Sequence, residues 1–290
     1  MKPAPFHYHD PRNKDDLLRL LAGIENGVLL AGGQSLMPML NFRAVTPDHV
    51  VDLSRVRELA GISRDGDTLT IGAMTRQRDI ERSDTVRDTL PLLQDALAHV
   101  GHRQTRNRGT IGGSLCHLDP SAELVTAAVA LDATLVAERS GSVRSIPAKD
   151  WCRGYLTNAL EQGEMLSAVE LPVWAEGHGH AFVEYARRHG DFAIVGVAVL
   201  LALDTNGAIS RAAIAVGGCA AQPQRLADVE AGLVGQQPAT ALFKDLARLA
   251  SNVEAISDPY VQADYRRHLA RVLTERALNA AAGRAAKAAA

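Results

Sequence analysis

The stretch 106–124, RNRGTIGGSLCHLDPSAEL, constrains this chain more than any other. Gly109, Gly112 and Gly113 remove side chains where a backbone must approach something closely. Thr110, Ile111, Ser114, His117 and Asp119 surround that gap, all but the isoleucine carrying hydrogen-bonding groups. Pro120, Ser121, Ala122 and Glu123 read as the first turn of a helix that continues through the apolar residues 124–131. A glycine turn feeding a helix gathers backbone N–H groups at the positive end of the helix dipole, a natural cradle for a phosphate-bearing ligand. A second glycine turn, Ala31-Gly32-Gly33-Gln34-Ser35-Leu36, follows the strand-like run 28–31. Taken alone it is as well read as a plain strand-to-helix turn. Together, the two turns suggest one extended ligand. Neither matches G-x-G-x-x-G or G-x-x-x-x-G-K-[ST], so the chain carries no Rossmann fingerprint and no P-loop.

Charge narrows the ligand class further. The 290 residues carry a net charge of -2 with acidic and basic positions interspersed, which argues against a surface built for nucleic acid or an anionic membrane. The N-terminus lacks an apolar core of signal-peptide length, and no run approaches the ~20 apolar residues of a membrane span. A cytoplasmic protein is the expectation. Cys116, Cys152 and Cys219 lie far apart with no C-x-x-C pair, giving neither a disulfide framework nor a thiolate metal site. Any iron–sulfur cluster or zinc then belongs to another chain.

Periodicity divides the chain into three parts. In 1–55, Leu17, Leu18, Leu20 and Leu21 fall on one helical face, and strands are expected over 28–31 and 49–53. In 56–174, Asp65-Gly66-Asp67 turns a hairpin, helices are expected near 75–82 and 86–100, the second interrupted by Pro91, and strands near 133–138, 143–147 and 165–171. Residues 176–180 read as a linker. In 178–285, two long strands at 193–203 and 208–217 flank Asn206-Gly207, a strong hairpin signal. Helical patterns follow over 224–233, 239–256 and 261–281, and the Ala-rich end is expected to fray. The fold class is α+β, with antiparallel sheet and a helix cluster closing the chain.

Other motifs carry less. His99, His102 and His117 lack the compact spacing with a carboxylate that zinc enzymes use, so hydrogen bonding is the better reading. Arg103, Arg106 and Arg108 read equally as a patch for phosphate or a partner and as a solvated loop. Ser35 and Ser114 lack a G-x-S-x-G context, which argues against nucleophilic catalysis.

These residues carry a resemblance. Ala31 to Leu36 is similar to the first flavin motif of the medium subunit of bacterial molybdenum hydroxylases, and Thr110-Ile111-Gly112-Gly113-Ser114 with Asp119-Pro120 to its second. Gly190-Asp191-Phe192-Ala193 resembles a third element, usually Gly-Asp-Tyr-Ala. The family includes aerobic carbon monoxide dehydrogenase, xanthine dehydrogenase and oxidoreductases of quinoline, nicotine and related N-heterocycles. The resemblance implies an FAD-binding fold of the vanillyl-alcohol-oxidase (PCMH) type in two subdomains. It implies that backbone amides of 31–35 and 110–114 hold the pyrophosphate, that Asp119 and Glu123 lie near ribityl or ribose hydroxyls, and Leu166 near the flavin ring. It implies partners: a large molybdopterin subunit that hydroxylates the substrate and a small subunit with two [2Fe-2S] clusters, in a dimer of heterotrimers. This chain would carry no catalytic acid or base and no metal, passing electrons through FAD to an external acceptor. A stand-alone FAD oxidase or reductase of the same fold is the first rival. A scaffold that has lost its flavin is the second, and the intact glycines argue against it. Phe192 departs from the usual tyrosine, so a role for that hydroxyl has no counterpart here.

Overall fold

The computed structural model describes residues 1–289. Its first part comprises β1 (His7–His9), α1 (Lys14–Gly23), β2 (Gly27–Leu30), α2 (Leu36–Asn41) and β3 (His49–Asp52). β1 and β2 both pair in parallel with β3. α1 forms where leucine spacing predicts it, capped by Asn13, whose side chain accepts the Asp16 N–H at 2.8 Å. Its buried Leu17, Leu18 and Leu21 meet Val51, Leu53, Leu59 and Met165 in the smallest of three cores.

The middle part opens with the hairpin β4 (Ile62–Asp65) and β5 (Thr68–Gly72). Six short helices follow: α3 (Gln77–Arg82), α4 (Asp84–Thr89), α5 (Leu92–His99), α6 (Arg103–Arg108), α7 (Ile111–His117) and α8 (Glu123–Ala130). Then come β6 (Thr134–Arg139), β7 (Ser142–Pro147), the small hairpin β8 (Cys152–Gly154) and β9 (Thr157–Asn158), and β10 (Met165–Pro172). The main sheet is antiparallel throughout, in the order β4-β5-β10-β6-β7, so its two flanking hairpins are joined by the returning β10. The helix expected over 86–100 is two helices, because Pro91 has no N–H to continue the first and instead opens the second.

The last part contains β11 (Gly179–Tyr185), β12 (Val195–Leu203), β13 (Ile209–Gly217), β14 (Gln224–Arg225), α9 (Ala227–Leu233), α10 (Thr240–Leu246) and α11 (Ala263–Ala289). Its sheet runs β11-β12-β13-β14, antiparallel. Three sequence expectations shift here. Gly179 and His180 begin β11 rather than ending a linker. Gln224 and Arg225 pair with Val216 and Ala215 before the helix starts. α11 runs to Ala289 instead of fraying from 280: alanine has the highest helix propensity, and Ala281 and Ala285 bury against the start of β11.

β12 explains why 193–203 reads as continuously apolar. Val195, Val197, Val199 and Leu201 face Leu269, Leu273 and Ala277 of α11, while Ala198, Leu200 and Ala202 join the core built from α5, α8 and the middle sheet. A strand buried on both faces has no polar side to alternate with.

Candidate functional site

A cleft of about 1120 Å³ is lined by the loop after β2, the turns around α7, and the segments that enter β12 and α11. The two glycine turns meet at its base. β2 ends at Leu30, and the chain reverses at Gly33, with φ +73°, before α2 begins. A Cβ on Gly32 would stand 2.4 Å from the carbonyl oxygen of Arg108, and one on Gly112 2.7 Å from that of Ala73. Both distances are below any real contact, so these glycines let one backbone cross another. The partner in the close approach that the sequence leaves open is, at Gly32 and Gly112, the chain itself.

The 106–124 stretch also differs in where its helix starts. Thr110 caps α7, its Oγ1 accepting the Gly113 N–H at 3.0 Å, and Leu118 ends that helix in a left-handed conformation at φ 52°. Ala122 then leads into α8. A helix with two glycines in its first turn contradicts propensity, which hid it from the sequence reading. Arg106 is likewise no free cation: it donates to both oxygens of Glu81, at 3.2 and 3.3 Å, and to the Val100 carbonyl at 2.9 Å. The basic run 103–108 is largely a helix anchored to α3.

Backbone donors divide unequally between the turns. Among the described residues, Gly32, Gly33, Gln34 and Ser35 line the cleft and none of their N–H groups donates within the chain. The opposite turn has spent all its donors from 111 to 114, and among the described residues only the Thr110 N–H is left unengaged there. Ile111 N–H goes to the Thr75 carbonyl at 3.2 Å, Gly112 to Ala73 at 2.9 Å, Gly113 to Thr110 Oγ1, and Ser114 to the Thr110 carbonyl at 3.2 Å. What α7 presents to the cleft is therefore the bare backbone surface of Gly112 and Gly113 and the side chains of Ser114 and His117.

Of the sequence-predicted residues, Ala31, Gly32, Gly33, Gln34, Ser35, Leu36, Thr110, Gly112, Gly113, Ser114, His117, Asp119, Glu123, Leu166, Asp191 and Phe192 all line the cleft. Ile111 does not; it is 2% exposed and packs into the middle core. Phe192 lines the cleft as a residue that is 72% exposed. Asp119 Oδ1 accepts the Ser121 N–H at 2.9 Å.

Glu123 is the unusual ionisable group. It is buried at the start of α8, and burial, reinforced by the charge of Glu184, pushes its carboxyl up to about 7. Glu184 on β11 lies 3.4 Å from His99 Nδ1 on α5, and that contact holds the imidazole above its usual range. Sequence reasoning missed Gln77, Arg187, Tyr260 and Arg266, which also line the cleft. Arg266 is buried and donates to the carbonyls of Ile194 at 2.8 Å and Gly218 at 2.7 Å and to Asp258. Arg187 precedes the Gly190-Asp191-Phe192-Ala193 element by three positions, whereas Gln77, Tyr260 and Arg266 reach the cleft from segments that no local motif marks.

Comparison with known proteins agrees with this architecture. The FAD binding domain in molybdopterin dehydrogenase matches residues 4–174, and the CO dehydrogenase flavoprotein C-terminal domain matches residues 180–281. The chain is 40% identical to the 6-hydroxypseudooxynicotine dehydrogenase complex subunit alpha of Paenarthrobacter nicotinovorans over 290 residues, covering 98% of this chain and 97% of the relative. It is 34% identical to the carbon monoxide dehydrogenase medium chain of Hydrogenophaga pseudoflava, covering 99% of this chain and 100% of that one. Among solved structures, quinoline 2-oxidoreductase from Pseudomonas putida 86 superposes with a TM-score of 0.93 at 37% identity, covering 98% of this chain and 99% of that one. The chain belongs to the FAD-binding medium subunits of the molybdenum hydroxylases. It is an oxidoreductase subunit, and its cofactor is FAD.

Proposed function

We propose that this chain is the electron-exit subunit of a heterotrimeric molybdenum hydroxylase. A small subunit delivers electrons from two [2Fe-2S] clusters, and a large molybdopterin subunit hydroxylates an N-heterocycle. Nicotine- and quinoline-derived substrates in the names of relatives support that substrate class. The complex works in the cytoplasm as a dimer of heterotrimers, and this chain carries its FAD on parts 1–55 and 56–174, closed by 178–285.

The observation that carries the reading is the set of unengaged N–H groups on Gly32, Gly33, Gln34 and Ser35 beside the cleft. Converging backbone donors with no internal partner suit a pyrophosphate, which needs several at once. Leu36 closes the same turn, while Ser114, His117 and Asp119 offer side-chain partners across the cleft. Glu123, buried and near neutrality, can donate or accept toward a hydroxyl. Leu166 and the exposed Phe192 ring offer apolar faces to a planar ring system. When bound, FAD supplies the electron-transfer chemistry; the chain positions it and excludes water. No side chain of this chain is assigned as an acid or base.

The glycines no longer decide against a flavin-free scaffold, since Gly32 and Gly112 are required by packing alone. The match to an FAD binding domain over residues 4–174 takes over that argument, because water can serve the exposed N–H groups of Gln34 and Ser35 in a scaffold too. The test is purification from the native host without added cofactor. Flavin absorption, with a larger molybdenum chain and a smaller iron–sulfur chain in stoichiometric amounts, is the expected result. A colourless chain, or a yellow one with no partners, overturns it.

A further inference from the structure

A second cavity, of about 460 Å³, lies where the segment after β3 packs against the turn between β5 and α3. Its floor is apolar: Leu53, Val56, Ile62 and Met74. Its charge comes from Arg57, Arg76 and the exposed Asp79. Arg76 donates to the Arg108 carbonyl, and among the described residues neither Arg76 nor Arg57 forms an ion pair with a carboxylate. Burial and the like charge of Arg108 beside it pull Arg76 below the usual guanidinium range, although Asp79 and Asp52 act the other way. A partly desolvated guanidinium kept next to a second one, without a bound carboxylate, is a costly arrangement that an incoming anion relieves. Leu53 and Met74 also line the large cleft, so the two spaces share a partition of two buried side chains.

We propose that this cavity binds an organic anion, its apolar body on Leu53, Val56, Ile62 and Met74 and its anionic group held by Arg57 and Arg76. The volume suits a small bicyclic or tricyclic molecule. Neither inorganic phosphate alone nor a neutral apolar molecule satisfies both halves of the lining. Two sources share this chemistry: an anionic oxidant that collects the electrons, and an anionic effector that acts on the cleft through the partition. The proposal does not depend on the cofactor assignment.

The experiment is equilibrium dialysis of the purified native complex against anthraquinone-2-sulfonate, with menadione as the neutral comparator and flavin content measured beforehand. One saturable site per chain is expected for the sulfonate, weakened about tenfold or more in Arg57→Ala and in Arg76→Lys. Menadione should bind equally to all three proteins. Arg57→Ala guards against a fold defect in the Arg76 variant, since its exposed side chain holds no other element. A sulfonate that shows no saturable binding, or that binds equally to wild type and both variants, overturns the proposal. So does equal loss of menadione binding. A second arm separates the sources. If the ligand is an oxidant, reoxidation of the reduced complex by the sulfonate slows in both variants by the same factor as binding. If it is an effector, that rate holds and FAD affinity responds to the sulfonate instead. Arginine-dependent binding by a complex without flavin would support the site while refuting the cofactor reading.

Discussion

Gly32 has room for no side chain. A methyl group there would overlap the Arg108 carbonyl at 2.4 Å, a backbone atom that cannot rotate away. Gly32→Ala should therefore push the two turns apart at a cost of roughly 2–3 kcal/mol. It should also lower flavin content on purification, and thermal melts with and without FAD separate the two effects. Unchanged melting with full flavin would show that the crossing is more pliable than it looks. Glu123 makes a different residue-scale prediction. An ordinary carboxyl at 4.5 has moved to about 7, so the fold prefers the protonated form. That preference is complete below pH 4.5 and is lost as pH rises through 7. Facing it are Glu184 from β11, His99 from α5 and Asp119 from the preceding turn. His99, raised by Glu184, loses its contribution in the same direction as pH climbs. Glu123→Gln should flatten the fall in stability between pH 4.5 and 7 and leave the flavin-free variant about 2–3 kcal/mol more stable than wild type at pH 8. Denaturant melts across that range check it, and parallel wild-type and variant curves would refute the buried-acid account.

At the scale of elements, α7 depends on its cap. Thr110 Oγ1 satisfies the Gly113 N–H, and the two glycines in the first turn give the helix little propensity of its own. Thr110→Ala should cost about 1 kcal/mol and Thr110→Ser far less, read from urea midpoints. An equal loss in both would move the effect from the cap to the threonine methyl. The same helix shows why legibility was uneven. Leucine spacing marked the apolar face of α1, and Asn206-Gly207 marked the β12–β13 turn, because those signals are local and uncontested. α7 and α6 were unreadable: polar and glycine-rich sequence becomes helical there through Thr110 and through the Arg106–Glu81 contact, both tertiary or capping effects. β1 is three largely exposed residues held by pairing with β3 and by the side-chain contacts of Tyr8 with Asp52 and His9 with His49, none of them a local signal. The site followed the same rule. Its two glycine turns were plain in the sequence, whereas Tyr260 and Arg266 arrive from residues whose only link to the cleft is the fold.

For the whole molecule, the question is whether the last part stands alone. Its sheet presents Phe182, Ala198, Leu200, Ala202, Ala213 and Ala215 to the middle core, where they meet Leu93, Leu97 and Val125. Polar contacts cross the same boundary: Arg225 donates to Asp132 at 2.6 Å, and Arg284 and His180 both contact Asp95. Their partners are substantially exposed, with Asp132 at 49% and Arg284 at 45%, and such pairs contribute only about 0–1 kcal/mol each. Phe182 and Leu200, at roughly 1.5–3 kcal/mol each, with smaller contributions from the four alanines, outweigh them. The segment 180–290 expressed alone should therefore aggregate or bind a hydrophobic dye. Co-expressed with 1–174 it should co-purify, and the pair should survive molar salt, because salt screens the ion pairs and strengthens apolar association. Dissociation by salt would instead assign the joint to Arg225 and Arg284. A soluble, cooperatively melting 180–290 fragment would show that the face is self-sufficient.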